Sequence, residues 1–311
     1  MRHLINYSVY HISGKQPSLV EGDGIELLTG YFDLDPSQWP DAFSVHLPYT
    51  VDWYSVWKGR LSIPDGMSGD EVRFFSYGRD RQQIIESVRR GIECARSLNP
   101  AYGVLHAGSA NIDELLSERY SDTDLEVLTA FAEIVNEAVS AFPNGEPPFK
   151  LMFENQWWPG LRMLDDKEYR ILRDKIEFDN WGLCLDTGHL LVTTQRSKDE
   201  LQSIGLLTEI FEGYPKDMID DIEVIHLHVN SSADYIRNFD GPKDFSNMGI
   251  NDRLNVGYRF VGGMDQHRPF TVKEVTRITD ILRPDFVTHE MGAHDTDVRD
   301  ADYHRQRSLF Q

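Results

Sequence analysis

The sequence predicts an α/β chain wound as a closed (β/α)8 barrel, and three observations carry that prediction. Eight short β-type runs can be picked out along the 311 residues. The later runs are each preceded by an amphipathic helical pattern. Most of the runs are continuously apolar rather than alternating, as parallel strands covered on both faces are. Strand and helix alternating to a count of eight close such a barrel. A doubly wound open sheet is the competing arrangement, but no G-x-G-x-x-G phosphate fingerprint follows the first run. With no internal repeat and no clear linker, residues 1–311 read as one domain.

Taken in order, the runs begin with "LINYSVY" (4–10), "GIELLTG" (24–30) and "AFSVHLP" (42–48). The connections 11–23 and 31–41 are short and rich in Gly and Pro, so the first two helices are expected to be short or irregular. The fourth run, "YGVLHAG" (102–108), follows a helical pattern at 79–98, and the fifth, "FKLMFEN" (149–155), follows one at 123–142. Patterns at 166–176, 198–214 and 271–282 precede "WGLCLDT" (181–187), "IEVIHLH" (222–228) and "PDFVTHE" (284–290). Two long loops remain, 50–78 after the third strand and 229–270 after the seventh. In a barrel both rise over the C-terminal face, where active sites are built. Long structureless loops in a compact domain are usually functional.

Composition narrows the function classes. Acids outnumber bases by 51 to 31, a formal charge of −20, which makes a polyanion such as duplex DNA an unfavourable partner. No apolar run approaches the roughly 18 residues of a membrane span. The N-terminal "MRHLINYSVYHISG" lacks the apolar core and cleavage site of a secretory signal. A cytoplasmic protein is expected. The two cysteines, Cys94 and Cys184, form no C-x-x-C pair, so any metal would be held by imidazole and carboxylate.

Strand ends supply those groups. The third run ends near His46, the fourth near His106 and the fifth near Glu154. The sixth gives Asp186 with His189 just beyond, the seventh His226 and His228, and the eighth Glu290; the 229–270 loop adds Asp265 and His267 in "DQH". Singly each has an ordinary reading: a strand-end Asp before a helix caps it, and a lone His is usually a hydrogen-bonded structural residue. Six successive strands ending in the same residue class are not explained that way. Nine or so ligands are too many for one ion and suit two or three, with Zn2+, Mn2+ or Fe2+ favoured over Mg2+ by the imidazoles. Zinc is the leading choice. Alternation aims His289 away from the site, while it leaves His226 and His228 undecided. His3, His11, His294 and His304 read as surface or terminal residues.

Together "HLPY" (46–49), "LHAG" (105–108), "FEN" (153–155), "CLDTGH" (184–189), "IHLH" (225–228), "DQH" (265–267) and Glu290 resemble the xylose isomerase-like TIM barrel superfamily, which includes the endonuclease IV-type AP endonucleases (AP endonuclease family 2). The resemblance to the endonucleases implies three ions held by His46, His106, Glu154, Asp186, His189, His226, Asp265, His267 and Glu290. The resemblance to the sugar isomerases and epimerases implies one ion on Glu154, Asp186, His226 and Glu290, with Glu154 and Glu290 as the acid–base pair. Those enzymes generally lack the third- and fourth-strand histidines and the D-x-H segment, which this chain has. The family also places Tyr49 near substrate.

Four carboxylates against three divalent ions leave a net +2, a field that binds a phosphate oxyanion. A metal-dependent hydrolase of a small phosphoester, most naturally a diester, is therefore expected. The resemblance implies that Glu154 bridges ions there and orients the attacking water. The alternatives are the one-ion isomerase or epimerase, an AP endonuclease, and a non-catalytic metal-binding barrel. DNA is disfavoured because no Lys or Arg lies between Lys15 and Lys58, whereas Glu21, Asp23, Glu26, Asp33, Asp35, Asp41 and Asp52 do. Trp157 and Trp158 in "NQWWPG" could stack a substrate ring or simply pack beneath a loop. "VDWYSVW" (51–57) could be a lid, or a cover for the incomplete first helices. His228 is assigned to substrate. Of Arg237, Arg253, Arg259 and Arg268, one could grip phosphate, and Arg268 is taken as that residue, the others as surface ion-pair partners.

Overall fold

The apolar runs become strands because each is covered on two sides, by helices outside and by a plug of side chains within. The computed structural model describes residues 1–10, 16–117, 119–241, 247–293 and 295–311, with the side chains of residues 250, 251 and 254 left aside. Its strands are β1 (Arg2–Ser8), β2 (Gly24–Leu28), β3 (Ala42–His46), β4 (Tyr102–His106), β5 (Lys150–Glu154), β6 (Trp181–Asp186), β7 (Ile222–Leu227) and β8 (Phe286–His289). They form a closed barrel in chain order. Every neighbouring pair is parallel, and β1 closes on β8 with Leu4 opposite Thr288 and Ile5 opposite His289.

Alternation sorts each strand into two faces. Leu151 and Phe153, Leu183 and Leu185, and Ile225 and Leu227 face outward into the helical layer and are fully buried. Each such side chain withdrawn from water stabilises the fold by about 2 kcal/mol. The intervening residues Leu4, Val104, Met152, Cys184 and Val224 meet inside the barrel, with Tyr102 beside them. Cys184 is therefore barrel packing. Two residues further along the same faces come His106, Glu154, Asp186 and His226, so the polar ring sits one pleat repeat above an apolar plug.

The expected helices form with local stops and starts that the sequence supplies. Arg81–Ala95 starts at Asp80, whose carboxylate accepts from the Gln83 amide, and continues as a 3-10 turn at Arg96–Leu98. Asp124–Ser140 opens on a capping box made by Thr123 and Glu126. Lys167–Lys175, Glu200–Phe211 and Thr276–Leu282 complete the outer layer beside β6, β7 and β8. Between β2 and β3 only a 3-10 turn at Pro36–Gln38 forms, as the Gly- and Pro-rich composition predicts.

The two long loops are not structureless. Residues 50–78 hold helices Trp53–Trp57 and Gly69–Ser76, the latter started by a capping box of Ser68 and Glu71. Residues 229–270 hold Ala233–Asn238 and Ile250–Met264. With Ile112–Ser117 after β4 they build a second small core above the barrel, containing Leu115, Trp157, Trp158, Phe260 and Met264.

A C-terminal helix, Thr296–Arg307, followed by a 3-10 turn at Ser308–Phe310, covers the outside of β1 and β8. It corrects the reading of His3 as a surface residue. His3 is buried, its Nδ1 lies 2.9 Å from His289 Nε2, and its ring packs on Phe310. Burial first, then the Arg307 charge, lower its pKa to about 4. His289 does face away from the barrel interior, bonding Gln306. His304 is half-buried, its ring tilted against that of Tyr303 with centroids 5.0 Å apart. His11 and His294 lie outside the described residues. Among the described residues no helix is long and apolar enough to cross a membrane.

Candidate metal centre

The C-terminal ends of the strands bring the ring together. His46, His106, Glu154 and Asp186 are the last residues of β3 to β6, His226 is the penultimate residue of β7, and Glu290 follows β8. His189 comes from the first turn of the helix Thr187–Thr194. Asp265 and His267 come from the segment after Ile250–Met264. One ligand atom from each member lies within 4.8 Å of the others in four groups: His46, His106 and Glu154; Glu154, Asp186 and His226; His189, Asp265 and His267; and His228, His267 and Glu290. Glu154 belongs to two of them. Its Oε2 lies 3.1 Å from His46 Nε2 and 3.3 Å from His106 Nε2, while Oε1 lies 3.2 Å from His189 Nδ1.

Asp186 does two jobs at once. Its Oδ1 accepts from the His189 amide at 2.6 Å, capping the helix, and the carboxylate also faces the ring. Its strand end is fixed by Asn155, whose side chain accepts from the Asp186 amide at 2.7 Å and donates to the Asp186 carbonyl at 3.0 Å. The helix turns so tightly here that a Cβ on Gly188 would overlap the His228 imidazole, with Nε2 only 2.6 Å away.

Backbone carbonyls set the imidazole tautomers. His46 Nδ1 donates to the Leu47 carbonyl at 2.9 Å, leaving Nε2 toward Glu154. His189 Nδ1 donates to the Asn155 carbonyl at 2.9 Å, leaving Nε2 3.4 Å from Asp265 Oδ2. Such outer contacts orient metal-ligating imidazoles. Asn230 shapes the D-x-H segment: its Oδ1 accepts from the Gln266 and His267 amides, and its Nδ2 donates to Asp265 at 2.8 Å.

The ring is electrostatically tense. Burial raises the pKa values of Glu154 and Glu290, yet the neighbouring imidazoles (His106 and His226 for Glu154, His226 and His267 for Glu290) hold both well below the usual range. Burial likewise raises Asp265, but His267 and His189 outweigh it and hold the carboxyl low. Burial lowers His267, but Asp265 and Glu290 outweigh it and raise it to about 10. His189 and His226 are raised well above the ordinary value, burial again opposed by surrounding acidic groups. The carboxylates thus call for cations at their centre. His226 Nδ1 and Glu290 Oε2, 3.4 Å apart, are both buried without a hydrogen-bond partner. Unpartnered donors of this kind, imidazole mixed with carboxylate, fit divalent transition-metal ions.

The ring forms the floor of a cavity of about 570 Å3. Tyr49 lies on its wall, stacked on His106 with centroids 4.3 Å apart. Trp157 and Trp158 also line it, Trp157 packing edge-on to His189 at 4.9 Å. His228 is not on the wall. It is fully buried behind Asp186, to which its Nε2 lies at 2.9 and 3.1 Å, because the Gly188 turn leaves it space there. Arg268 is also off the wall; its backbone pairs with Val229 and its side chain is exposed. The other arginines serve the surface: Arg237 with Asp234, Arg253 with Asp113, and Arg259 over the Phe239 ring.

Sequence reasoning missed Glu26. Counted among the acids of an electronegative segment, it lies instead inside the barrel, 2% exposed. Its Oε1 is 2.8 Å from His226 Nε2, and its Oε2 accepts from Tyr102 and Thr288 hydroxyls, each at 3.0 Å. A carboxylate in the middle of the apolar run "GIELL" was the available signal.

Comparison with known proteins gives a consistent picture. The sequence pattern of the family described as xylose isomerase-like TIM barrel matches residues 75–271, well over half of the chain. Endonuclease IV from Thermus thermophilus superposes with a TM-score of 0.53 at 16% identity, covering 100% of this chain and 99% of that one. The probable 3-DHS dehydratase AsbF from Bacillus anthracis superposes with a TM-score of 0.52 at 13% identity, covering 100% and 99%. A sugar phosphate isomerase/epimerase from Parabacteroides distasonis gives a TM-score of 0.46 at 8% identity, covering 99% and 95%. No curated protein matches the chain. At these identities the likenesses to endonuclease IV and to AsbF show the fold alone.

Proposed function

The chain belongs to the xylose isomerase-like TIM barrel family, and from that premise we propose that it is a metal-dependent hydrolase of a small phosphoester, most naturally a diester. The observation that carries this reading is the position of Glu154 between two ligand groups, with His189, Asp265 and His267 forming a third. One ion would be held by His46, His106 and Glu154, a second by Glu154, Asp186, His226 and Glu290, and a third by His189, Asp265 and His267. When bound, such ions supply Lewis acidity and bring the pKa of water towards 7.

The chain's own residues do the rest. Glu154, with one oxygen toward each of two groups, would orient the attacking water. Tyr49 and Trp157 line the cavity and would flank a phosphoryl group seated on the ring. The direct test is hydrolysis of bis(p-nitrophenyl) phosphate by zinc-loaded protein. We expect turnover that a chelator abolishes and zinc restores. Absence of turnover, together with epimer or ketose–aldose exchange on sugars, would overturn the reading in favour of the one-ion isomerase, whose set Glu154, Asp186, His226 and Glu290 is also complete.

A further inference from the structure

The chemistry of the cavity changes abruptly above its floor. Its upper wall is made by segments that follow β3, β4 and β7: Phe74 and Phe75 from Gly69–Ser76, Ile112 and Leu115 from Ile112–Ser117, and Tyr258 and Val261 from Ile250–Met264. Phe74 is 63% exposed, Tyr258 56% and Tyr49 43%. Large apolar side chains converging on a cavity above convergent polar groups mark the place of an apolar ligand body.

Charge points the same way. Among the described residues the cavity wall has one Arg or Lys side chain, Arg299, whose Nε and Nη2 donate to the Ala293 carbonyl at 3.0 and 2.8 Å. Facing the same space are Glu26, Asp52, Glu154, Asp265 and Glu290. Apart from Arg299, an anionic group on the substrate therefore finds positive charge only at the metal centre. A second phosphate would meet either carboxylates or hydrocarbon.

Some polar side chains on the wall are engaged within the protein, while Gln156 Oε1 and the Trp157 and Trp158 Nε1 atoms are buried without a partner. Asn6 uses its amide on both backbone groups of Met291, Thr50 donates to the Phe75 carbonyl, and Gln156 Nε2 donates to Glu154. A polyhydroxylated sugar needs donors and acceptors exposed at several positions, whereas these unpartnered atoms are themselves buried and the exposed part of the upper wall is carried by Phe74 and Tyr258.

Resting on the phosphoester reading of the site, we infer that the substrate carries a single anionic phosphoester group, seated on the metal centre, joined to an aryl or alkyl body that the upper wall covers. The segments after β3, β4 and β7 thus set specificity, and the barrel ring sets the reaction.

Binding of unreactive phosphonates separates this claim from turnover, because their P–C bond is not hydrolysed. Zinc-loaded full-length protein is titrated by calorimetry with methylphosphonate, phenylphosphonate and ribose 5-phosphate. We expect phenylphosphonate to bind at least roughly tenfold more tightly than methylphosphonate, about 1.4 kcal/mol, and more tightly than the sugar phosphate. Phe74→Ala and Tyr258→Ala, at half-exposed positions that the fold does not depend on, should each lower the phenyl-to-methyl ratio severalfold. Equal affinities, tighter binding of ribose 5-phosphate, or no phosphonate binding at all would overturn the inference. A protein that prefers phenylphosphonate yet cleaves no phosphoester would keep the apolar subsite and lose the hydrolase reading.

Discussion

Replacing Gly188 with alanine tests how the ring is held. A Cβ at this position overlaps the His228 imidazole, 2.6 Å from Nε2 and closer still to the other ring atoms. The imidazole has nowhere to retreat. It is fully buried and stacked on His267 with centroids 4.1 Å apart, and its backbone amide is tied to Thr187. Moving it breaks its contacts of 2.9 and 3.1 Å to Asp186. Hydrogen bonds to a charged group contribute about 1.5–3 kcal/mol, and overpacking a rigid site costs about 1–3 kcal/mol. Gly188→Ala should therefore lose about 2.5–6 kcal/mol, a large share of the stability of a typical domain. Urea unfolding of chelator-treated protein measures this, and zinc titration of the folded variant should show weaker binding because Asp186 is no longer held. A variant within about 0.5 kcal/mol of the parent, with unchanged zinc affinity, would refute the reasoning.

Glu26→Gln removes the charge beside His226 Nε2 while keeping its shape; zinc affinity, measured against a competing chelator, should fall by about 10–100-fold, and an unchanged affinity would show that Glu26 does not orient the imidazole. Asp265→Ala should cost one equivalent of bound zinc per chain, read by elemental analysis, whereas full metal content would remove Asp265 from the ligand set. His3 gives a pH dependence away from the ring. Its folded pKa of about 4 lies below the ordinary value of 6.5, so the unfolded chain binds the proton more tightly, and stability present above pH 6.5 is lost as pH falls toward 4. Between pH 7 and 5 this amounts to about 2 kcal/mol. The loss over that interval, in chelator-treated protein, should be smaller by about that much in His3→Phe; equal losses would contradict it.

How far the sequence is legible depends on whether a residue's role is local or distant. The strands are legible because a buried parallel strand is apolar along its length, as "KLMFE" and "IEVIHL" are. The ring is legible because parallel strands end on one face, so His46, His106, Glu154 and Asp186 must meet wherever the barrel closes. Asp186 shows that a cap and a ring member need not be alternatives. Other features depend on partners far along the chain. Helix Thr296–Arg307 is strongly polar, with few apolar positions to mark it, and its docking depends on contacts such as Gln306 with His289 and Arg307 with Asp23. The arginines near the D-x-H segment are drawn off the cavity by Asp234 and Asp113. His228 and Glu26 take their places from the Gly188 turn and from hydroxyls on β4 and β8. No spacing rule connects those positions.

The central claim is that the nine residues at the barrel mouth, grouped around a shared Glu154, hold more than one ion. Zinc-loaded protein, freed of loosely bound metal and measured by elemental analysis against protein concentration, tests it most directly. The account predicts two or three zinc ions per chain, falling by at least one in His46→Ala. One ion per chain in a fully loaded preparation, unchanged by His46→Ala, would contradict it.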